Sequence, residues 1–233
     1  MKRLLLLISL GAWLAPGAWA QSFCASDGQA APLTLIERFM SADCEACWRA
    51  AQAPQPSARS LTLDWIVPSS RGDDAPLSAA ATPEALLRLD TLGRAAPAGS
   101  FVTRTKITRS LAPKLRVAHG VAVGGYIGAS IEFKANANSP RLDGASTWLL
   151  LVETIPARTD GTPSERHLVR NVLISRVGET QWRSSAAPSI FRELRPLSIP
   201  PGATPQRLNV VGWLQDAQGR VLSAAQSVCR PPS

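Results

Sequence analysis

The chain has 233 residues, of which 45% are hydrophobic and 18% charged, with a formal net charge of +8. This length provides enough apolar side chains for one large domain or two small ones. The basic residues are mostly scattered arginines without a cluster beside aromatic residues, so the charge does not indicate a nucleic-acid-binding protein.

The first twenty residues, MKRLLLLISLGAWLAPGAWA, have the three parts of a secretory signal peptide. Lys2 and Arg3 precede an apolar run from Leu4 to Leu14, and a small-x-small cleavage site ends at Ala20. The apolar run is shorter than the roughly 20 residues that span a bilayer, and no later segment is longer. We therefore predict cleavage near Ala20, no membrane span in the mature chain, and a periplasmic or secreted location.

Residues 31–120 alternate between strand and helix patterns. LTLIERF and LTLDWIV are rich in β-branched and aromatic residues, and each is followed by a predicted helix, CEACWRAAQA and EALLRLDTLGRA respectively. Thr82 and Pro83 precede the second helix as an N-cap and a first-position proline. A further short strand, APKLRVAHG, completes a pattern that predicts an α/β domain with parallel pairing.

Residues 121–229 carry successive strand patterns separated by turn clusters such as DGTP and DAQG. Their regular spacing without helical periodicity predicts an antiparallel, sandwich-like β domain. We predict the boundary between the two domains near Gly120 to Gly125.

Four cysteines occur, at positions 24, 44, 47 and 229. In an exported chain they indicate two disulfides, for which three connectivities exist. Cys44 and Cys47 are close neighbours, while Cys24 and Cys229 lie near the two ends of the mature chain. This arrangement favours a structural Cys24–Cys229 disulfide and a local Cys44–Cys47 pair.

The local pair forms a CxxC motif between a predicted strand and a predicted helix. A helix N-terminus stabilises a thiolate there, and the second cysteine lies one turn further on, so thiol–disulfide exchange is favoured. An inert structural disulfide is the main alternative. A zinc site would need two more ligands, but the two histidines, His119 and His167, are far apart in sequence.

Acidic residues flank the first cysteine of the motif. Asp43 and Glu45 suit a helix N-terminus but oppose a neighbouring thiolate, unless Arg38 and Arg49 fold inward to offset them. The sequence therefore favours a reductant or a stable disulfide over a strong oxidant.

The stretch LIERFMSADCEAC resembles the opening of the thioredoxin-like superfamily. It is similar to the motif E-L-F-T-S-x-G-C-S-S-C-P-P of a family of uncharacterised secreted bacterial proteins, on the positions Glu37, Phe39, Ser41, Cys44 and Cys47. The segments LAPKLRVAHG, RHLVRNVLISRVG and NVVGWLQDAQGRVLSAA resemble later parts of that family.

The resemblance implies a thioredoxin-like fold in the first domain, with a cis-proline facing the cysteine pair. Pro113 is the residue that we assign to this role, and His119 would follow it near the same pair. Cys44 would attack, Cys47 would resolve the mixed disulfide, and Pro113 would shape the groove for a bound peptide. The Gram-negative periplasm is likewise implied by the resemblance.

The sequence thus predicts an exported thiol–disulfide exchange or redox-carrier protein whose partners are protein thiols and disulfides in the periplasm. The alternative is a non-catalytic binding or structural module with an inert Cys44–Cys47 disulfide. No cofactor, metal or nucleic-acid partner is expected.

Overall fold

The computed structural model describes residues 24–51, 59–108, 113–135, 142–178 and 189–229. The predicted signal peptide, residues 1–20, lies outside the described residues. In chain order the strands and helices are β1 (Cys24–Ala25), β2 (Thr34–Ser41), α1 (Glu45–Arg49), β3 (Ser60–Val67), α2 (Glu84–Thr91), β4 (Ser100–Lys106), β5 (Lys114–Val123), β6 (Tyr126–Ala135), β7 (Ser146–Ile155), β8 (Arg166–Arg176), β9 (Ser189–Ser198), β10 (Leu208–Gln215), β11 (Val221–Gln226) and β12 (Val228–Cys229).

The strands form two sheets. A seven-stranded sheet has the order β11-β10-β7-β8-β3-β2-β4, and a five-stranded sheet has the order β12-β1-β5-β6-β9. β3 runs parallel to β2 and to β8. The other described neighbours pair antiparallel.

Apolar side chains fill both faces of the seven-stranded sheet, which explains why strands such as β2 and β7 are buried almost throughout. On one face, the half formed by β7, β10 and β11 packs against the five-stranded sheet through Val117, Ile131, Leu149 and Val210. The same face of β2, β3 and β8 packs against Trp48 of α1. The opposite face packs against α2, through side chains that include Leu63, Trp65, Leu89 and Trp213.

The second helix follows its sequence signals. Pro83 directly precedes α2, and Ala85 donates to the Thr82 carbonyl at 3.0 Å. At the other end Gly93 has φ +62°, and Arg94 donates to the Leu89 carbonyl at 2.9 Å. This left-handed residue ends the helix after Thr91, as glycine does at many helix C-termini.

The predicted fold class, an α/β thioredoxin-like domain followed by an antiparallel β domain, is wrong, because the chain is mostly β with two sheets. In the described residues the α-helices are limited to five residues in α1 and eight in α2. Strands β2, β3 and β4 of the first predicted segment share one sheet with β7, β8, β10 and β11 of the second. Gly120 to Gly125, the predicted boundary, lie within the β5–β6 hairpin.

Candidate functional site

The CxxC motif follows the C-terminal end of β2, and backbone hydrogen bonds fix its position. Ser41 donates to the Gly99 carbonyl at 2.9 Å and Ala42 donates to the Val67 carbonyl at 2.9 Å, so the chain stays paired on both sides as it leaves the sheet. Cys44 then donates to the Ser41 carbonyl at 2.9 Å, which closes the turn before α1. A buried strand thus delivers the cysteines to the surface.

Cys44 and Cys47 form a disulfide with a Cα–Cα distance of 5.3 Å, and both residues are partly exposed. Cys44 precedes α1 and Cys47 lies within it. A Cβ atom added to Gly99 would lie 3.9 Å from the Cys47 Sγ. The backbone just before β4 therefore lies beside Cys47, and position 99 adds no side chain between them.

The charges that flank Cys44 each have a basic partner. The Asp43 carboxylate lies 3.8 Å from the Arg71 guanidinium, and Glu45 forms an ion pair with Arg49. The sequence also offered Arg38 as a partner, but Arg38 is buried and lies 2.9 Å from Asp64. Arg71 and Arg49 both lie on the protein surface, and their positive charges therefore partly neutralise the negative charges of Asp43 and Glu45.

The segment after Cys47 is held by a network around Trp48. The Trp48 indole donates to the Asp160 carbonyl at 2.7 Å. Arg166 donates to the carbonyls of Trp48 at 2.9 Å and Ala50 at 2.7 Å, and its guanidinium lies 5.7 Å from the Trp48 ring centroid. Burial, together with the nearby charge of Arg38, lowers the pKa of Arg166 to about 10. Arg166 could not be identified from the sequence, since nothing local links it to the cysteines.

The structure does not bring Pro113 to the cysteine pair. Pro113 lines a cleft of about 480 Å³ together with Ser60 and Leu61, which lie at the start of β3. These residues pair with the start of β2, whereas Cys44 follows its end, about 25 Å away at the rise of a β-strand. No cis peptide bond occurs in the described part of the chain, and Ala112, which precedes Pro113, lies outside it.

The predicted terminal disulfide is confirmed: Cys24 in β1 is bonded to Cys229 in β12. β1 also pairs with β5, where Cys24 lies opposite His119. His119 is therefore a neighbour of this second disulfide. Its suggested place near Cys44 and Cys47 depended on the predicted fold.

Comparison with known proteins shows a similarity of fold. No protein-family model and no curated protein matches the chain. A solved structure, HBP35 of Porphyromonas gingivalis, is similar with a TM-score of 0.51 and 10% sequence identity, covering 85% of this chain and 76% of that one. At this identity the similarity shows the fold alone, and the family resemblance of the cysteine motif stays a prediction.

The described helices are all too short or too polar to cross a membrane. The two disulfides are consistent with an extracellular or periplasmic location, as expected of bonds that persist in oxidising compartments.

Proposed function

We propose that the Cys44–Cys47 disulfide exchanges with the thiols and disulfides of partner proteins. The observation that carries this proposal is its exposure: both Cys44 and Cys47 are partly exposed at the end of a buried strand. A sulfur must be reached by an incoming thiolate before exchange can occur.

The exchange takes place in two steps, and each step uses the sulfur of one of the two cysteines as the nucleophile. In the reducing direction the Cys44 thiolate attacks a partner disulfide, a Cys44–partner disulfide forms, and one partner thiolate leaves and takes up a proton. Cys47 then loses its proton and attacks the Cys44 sulfur, which releases the second partner thiolate. Two electrons pass to the partner, and the protein returns to the oxidised Cys44–Cys47 state.

A bracing role for the same disulfide is the second candidate. It is favoured by the bonds from Arg166 to the carbonyls of Trp48 and Ala50 and from Trp48 to Asp160, which hold the segment next to Cys47. In this role the disulfide would stay oxidised and limit the conformations of the connection between β2 and β3.

A redox titration distinguishes the two roles. The mature protein is equilibrated in glutathione buffers, free thiols are alkylated, and peptide mass spectrometry assigns each label to one cysteine. We expect Cys44 and Cys47 to become labelled at a poise where Cys24 and Cys229 remain oxidised. If Cys44 and Cys47 stay oxidised at every physiological poise and the protein does not reduce insulin, the bracing role is correct.

Trapping tests the assignment of the two steps. Cys47→Ser removes the resolving thiol, so mixed disulfides between Cys44 and partners should accumulate in cells and disappear on reduction. Cys44→Ser is the matched control and should trap far less, because Cys47 lies within α1 and is predicted to act second. Equal trapping by both variants would overturn the assignment of Cys44 as the attacking residue.

A further inference from the structure

The terminal disulfide has a third chemical group beside it. A ring nitrogen of His119 and the sulfur atoms of Cys24 and Cys229 all lie within 4.8 Å of one another. Cys24 is 2% exposed and His119 4% exposed, whereas Cys229 is exposed. The group therefore combines two buried ligand residues with one that reaches solvent.

The hydrogen bonding of His119 leaves one nitrogen unused. Nδ1 lies 2.8 Å from the Gly120 carbonyl oxygen, and because a carbonyl only accepts, Nδ1 must carry the proton. Nε2 then holds a lone pair, yet it is buried and has no hydrogen-bond partner among the described residues. Buried polar atoms are nearly always partnered, and His119, whose Nε2 is unpartnered, lies next to two sulfurs.

We propose that, once the Cys24–Cys229 disulfide is reduced, Cys24, Cys229 and His119 bind a thiolate-preferring metal cation of the Zn²⁺ or Cu⁺ type. Two thiolates and a neutral imidazole are ligand types that both cations favour, and for Zn²⁺ a solvent molecule on the exposed side of Cys229 would fill the fourth position. Zn–S bonds of about 2.3 Å and Zn–N bonds of about 2.0–2.1 Å place ligand atoms roughly 3.5–3.8 Å apart. The sulfurs must therefore separate from bonding distance, while the ring nitrogen already lies within 4.8 Å of both.

The surroundings suit such a site. Metal-binding histidines commonly donate their other ring N–H to a backbone carbonyl, which fixes the ring and its tautomer, and His119 already makes this bond to Gly120. β12 is a two-residue strand at the edge of its sheet, so Cys229 can shift without disturbing the core. The exposed side of Cys229 is the route by which a cation enters.

Reduction of the Cys24–Cys229 disulfide requires a donor of two electrons. A dithiol transfers two electrons and two protons to the Cys24–Cys229 disulfide and leaves as its own disulfide. Binding of the cation to the resulting cysteines then releases the two thiol protons to solvent. The chain ends are thus joined either by the disulfide or by the bound cation.

The test uses the full mature chain carrying Cys44→Ala and Cys47→Ala, so that the terminal pair supplies all the thiols. The protein is reduced with a phosphine, which is removed before Zn²⁺ is added in one series and Cu⁺ in another. Metal content after desalting, competition with a chromophoric chelator and circular dichroism are measured. His119→Gln is compared with His167→Gln, which alters the other histidine of the chain.

We expect one cation per reduced chain, bound at least tenfold more tightly than by the oxidised chain, and at least tenfold weaker binding in His119→Gln than in His167→Gln. The series with the tighter binding identifies the cation. If reduction unfolds the chain, the cation should restore the native circular dichroism spectrum in His167→Gln but not in His119→Gln. Equal binding by the reduced and oxidised chains, or by the two histidine variants, overturns the proposal, as does an unfolded reduced chain that no cation restores.

Discussion

The Arg88 side chain lies in the core with no exposed surface, paired with Glu37 across a distance of 2.6 Å. Its guanidinium also donates to Gln215 at 3.2 Å and lies 5.2 Å from the Trp213 ring centroid and 5.9 Å from that of Trp148. A buried charge is tolerated only when it is paired and hydrogen-bonded, and this network meets that condition.

Arg88→Met should lower the free energy of unfolding by about 3–5 kcal/mol, because it leaves the Glu37 carboxylate buried without its counter-ion. Urea unfolding monitored by tryptophan fluorescence measures the change. Glu37→Gln should have a loss of the same order, and the double variant should lose less than the sum of both. Additive losses would show that the two residues act independently.

His119 makes folding stability sensitive to mild acid. Burial lowers the pKa of His119 below its ordinary value of about 6.5, so the folded state binds fewer protons than the unfolded state below that pH. The free energy of unfolding should therefore fall as the pH falls from 7 through 6.5 towards the folded pKa. In His119→Gln this part of the pH dependence should be missing, while His167→Gln should keep it.

Thermal unfolding of the disulfide-intact protein at pH 7 and pH 5 measures this effect. The loss of stability between the two pH values should be larger in the original chain and in His167→Gln than in His119→Gln. An equal loss in all three would show that His119 is not the group responsible.

At the scale of single residues, the cysteine pairing and the buried face of α2 differ in whether the sequence could predict them. The cysteine pairing could be predicted, since it follows from order along the chain and the oxidising compartment. The inward face of α2 could not: Leu86 and Leu87 are 42% and 55% exposed, and Arg88 is buried in their place. That choice depends on Glu37, 51 residues away, and no local pattern contains it.

Gly212 in β10 lies where the two sheets approach each other closely. A Cβ atom added there would lie 2.7 Å from Val117 and 2.9 Å from Ile131 of the five-stranded sheet, and 3.2 Å from the Trp148 carbonyl oxygen. Side-chain atoms do not approach one another this closely, so even a methyl group would force the sheets apart.

Gly212→Ala should lower the free energy of unfolding by about 1–3 kcal/mol through overpacking. Chemical denaturation provides the measurement. Gly128→Ala in β6 is the matched control, because in the described part of the chain no atom lies within 4 Å of a Cβ atom added there, and its effect should be much smaller. Similar losses at both glycines would contradict the packing argument.

The segment before β4 offers a test of access to the Cys44–Cys47 disulfide. Gly99→Val places two methyl groups beside Cys47 without a close contact from its Cβ atom, which would lie 3.9 Å from the sulfur. We expect exchange with protein thiols to slow severalfold in stopped-flow measurements, while the melting temperature changes little. Gly120→Val is the control, since its added Cβ atom has open space and lies outside the site. Unchanged exchange in Gly99→Val would argue against partners that bond to Cys44 approaching the disulfide from the side of β4.

β4 also explains why the fold class was predicted wrongly. Its residues alternate between exposed and half-buried, but its two apolar residues, Phe101 and Val102, are adjacent, so the sequence lacks the apolar alternation of a strand and the predicted strand–helix series did not include it. It pairs antiparallel with β2 at the sheet edge, where charged residues are common and protect against further pairing. The β2–β3 pairing is parallel, as the sequence indicated. The two halves of the chain share one sheet through long-range pairing such as that of β3 with β8, which no local sequence pattern reveals.

The two disulfides should contribute unequally to stability. Cys24–Cys229 closes a sequence separation of 205 residues and Cys44–Cys47 one of 3. The chain-entropy model assigns about 5 kcal/mol to the first and about 2 kcal/mol to the second. Cys24→Ala with Cys229→Ala should therefore lower the denaturation midpoint more than Cys44→Ala with Cys47→Ala. The reverse order would show that the local disulfide holds the fold.

The pairing of β1 with β12 also has a consequence for biosynthesis. Cys24 is made first, and Cys44 and Cys47 follow it closely, while its true partner comes 205 residues later. A ribosome adding about 5–20 residues per second leaves Cys24 without that partner for roughly ten seconds or more. The correct bond can form only after Cys229 has been made, so a nascent chain released before that residue has three cysteines and keeps one thiol without a partner.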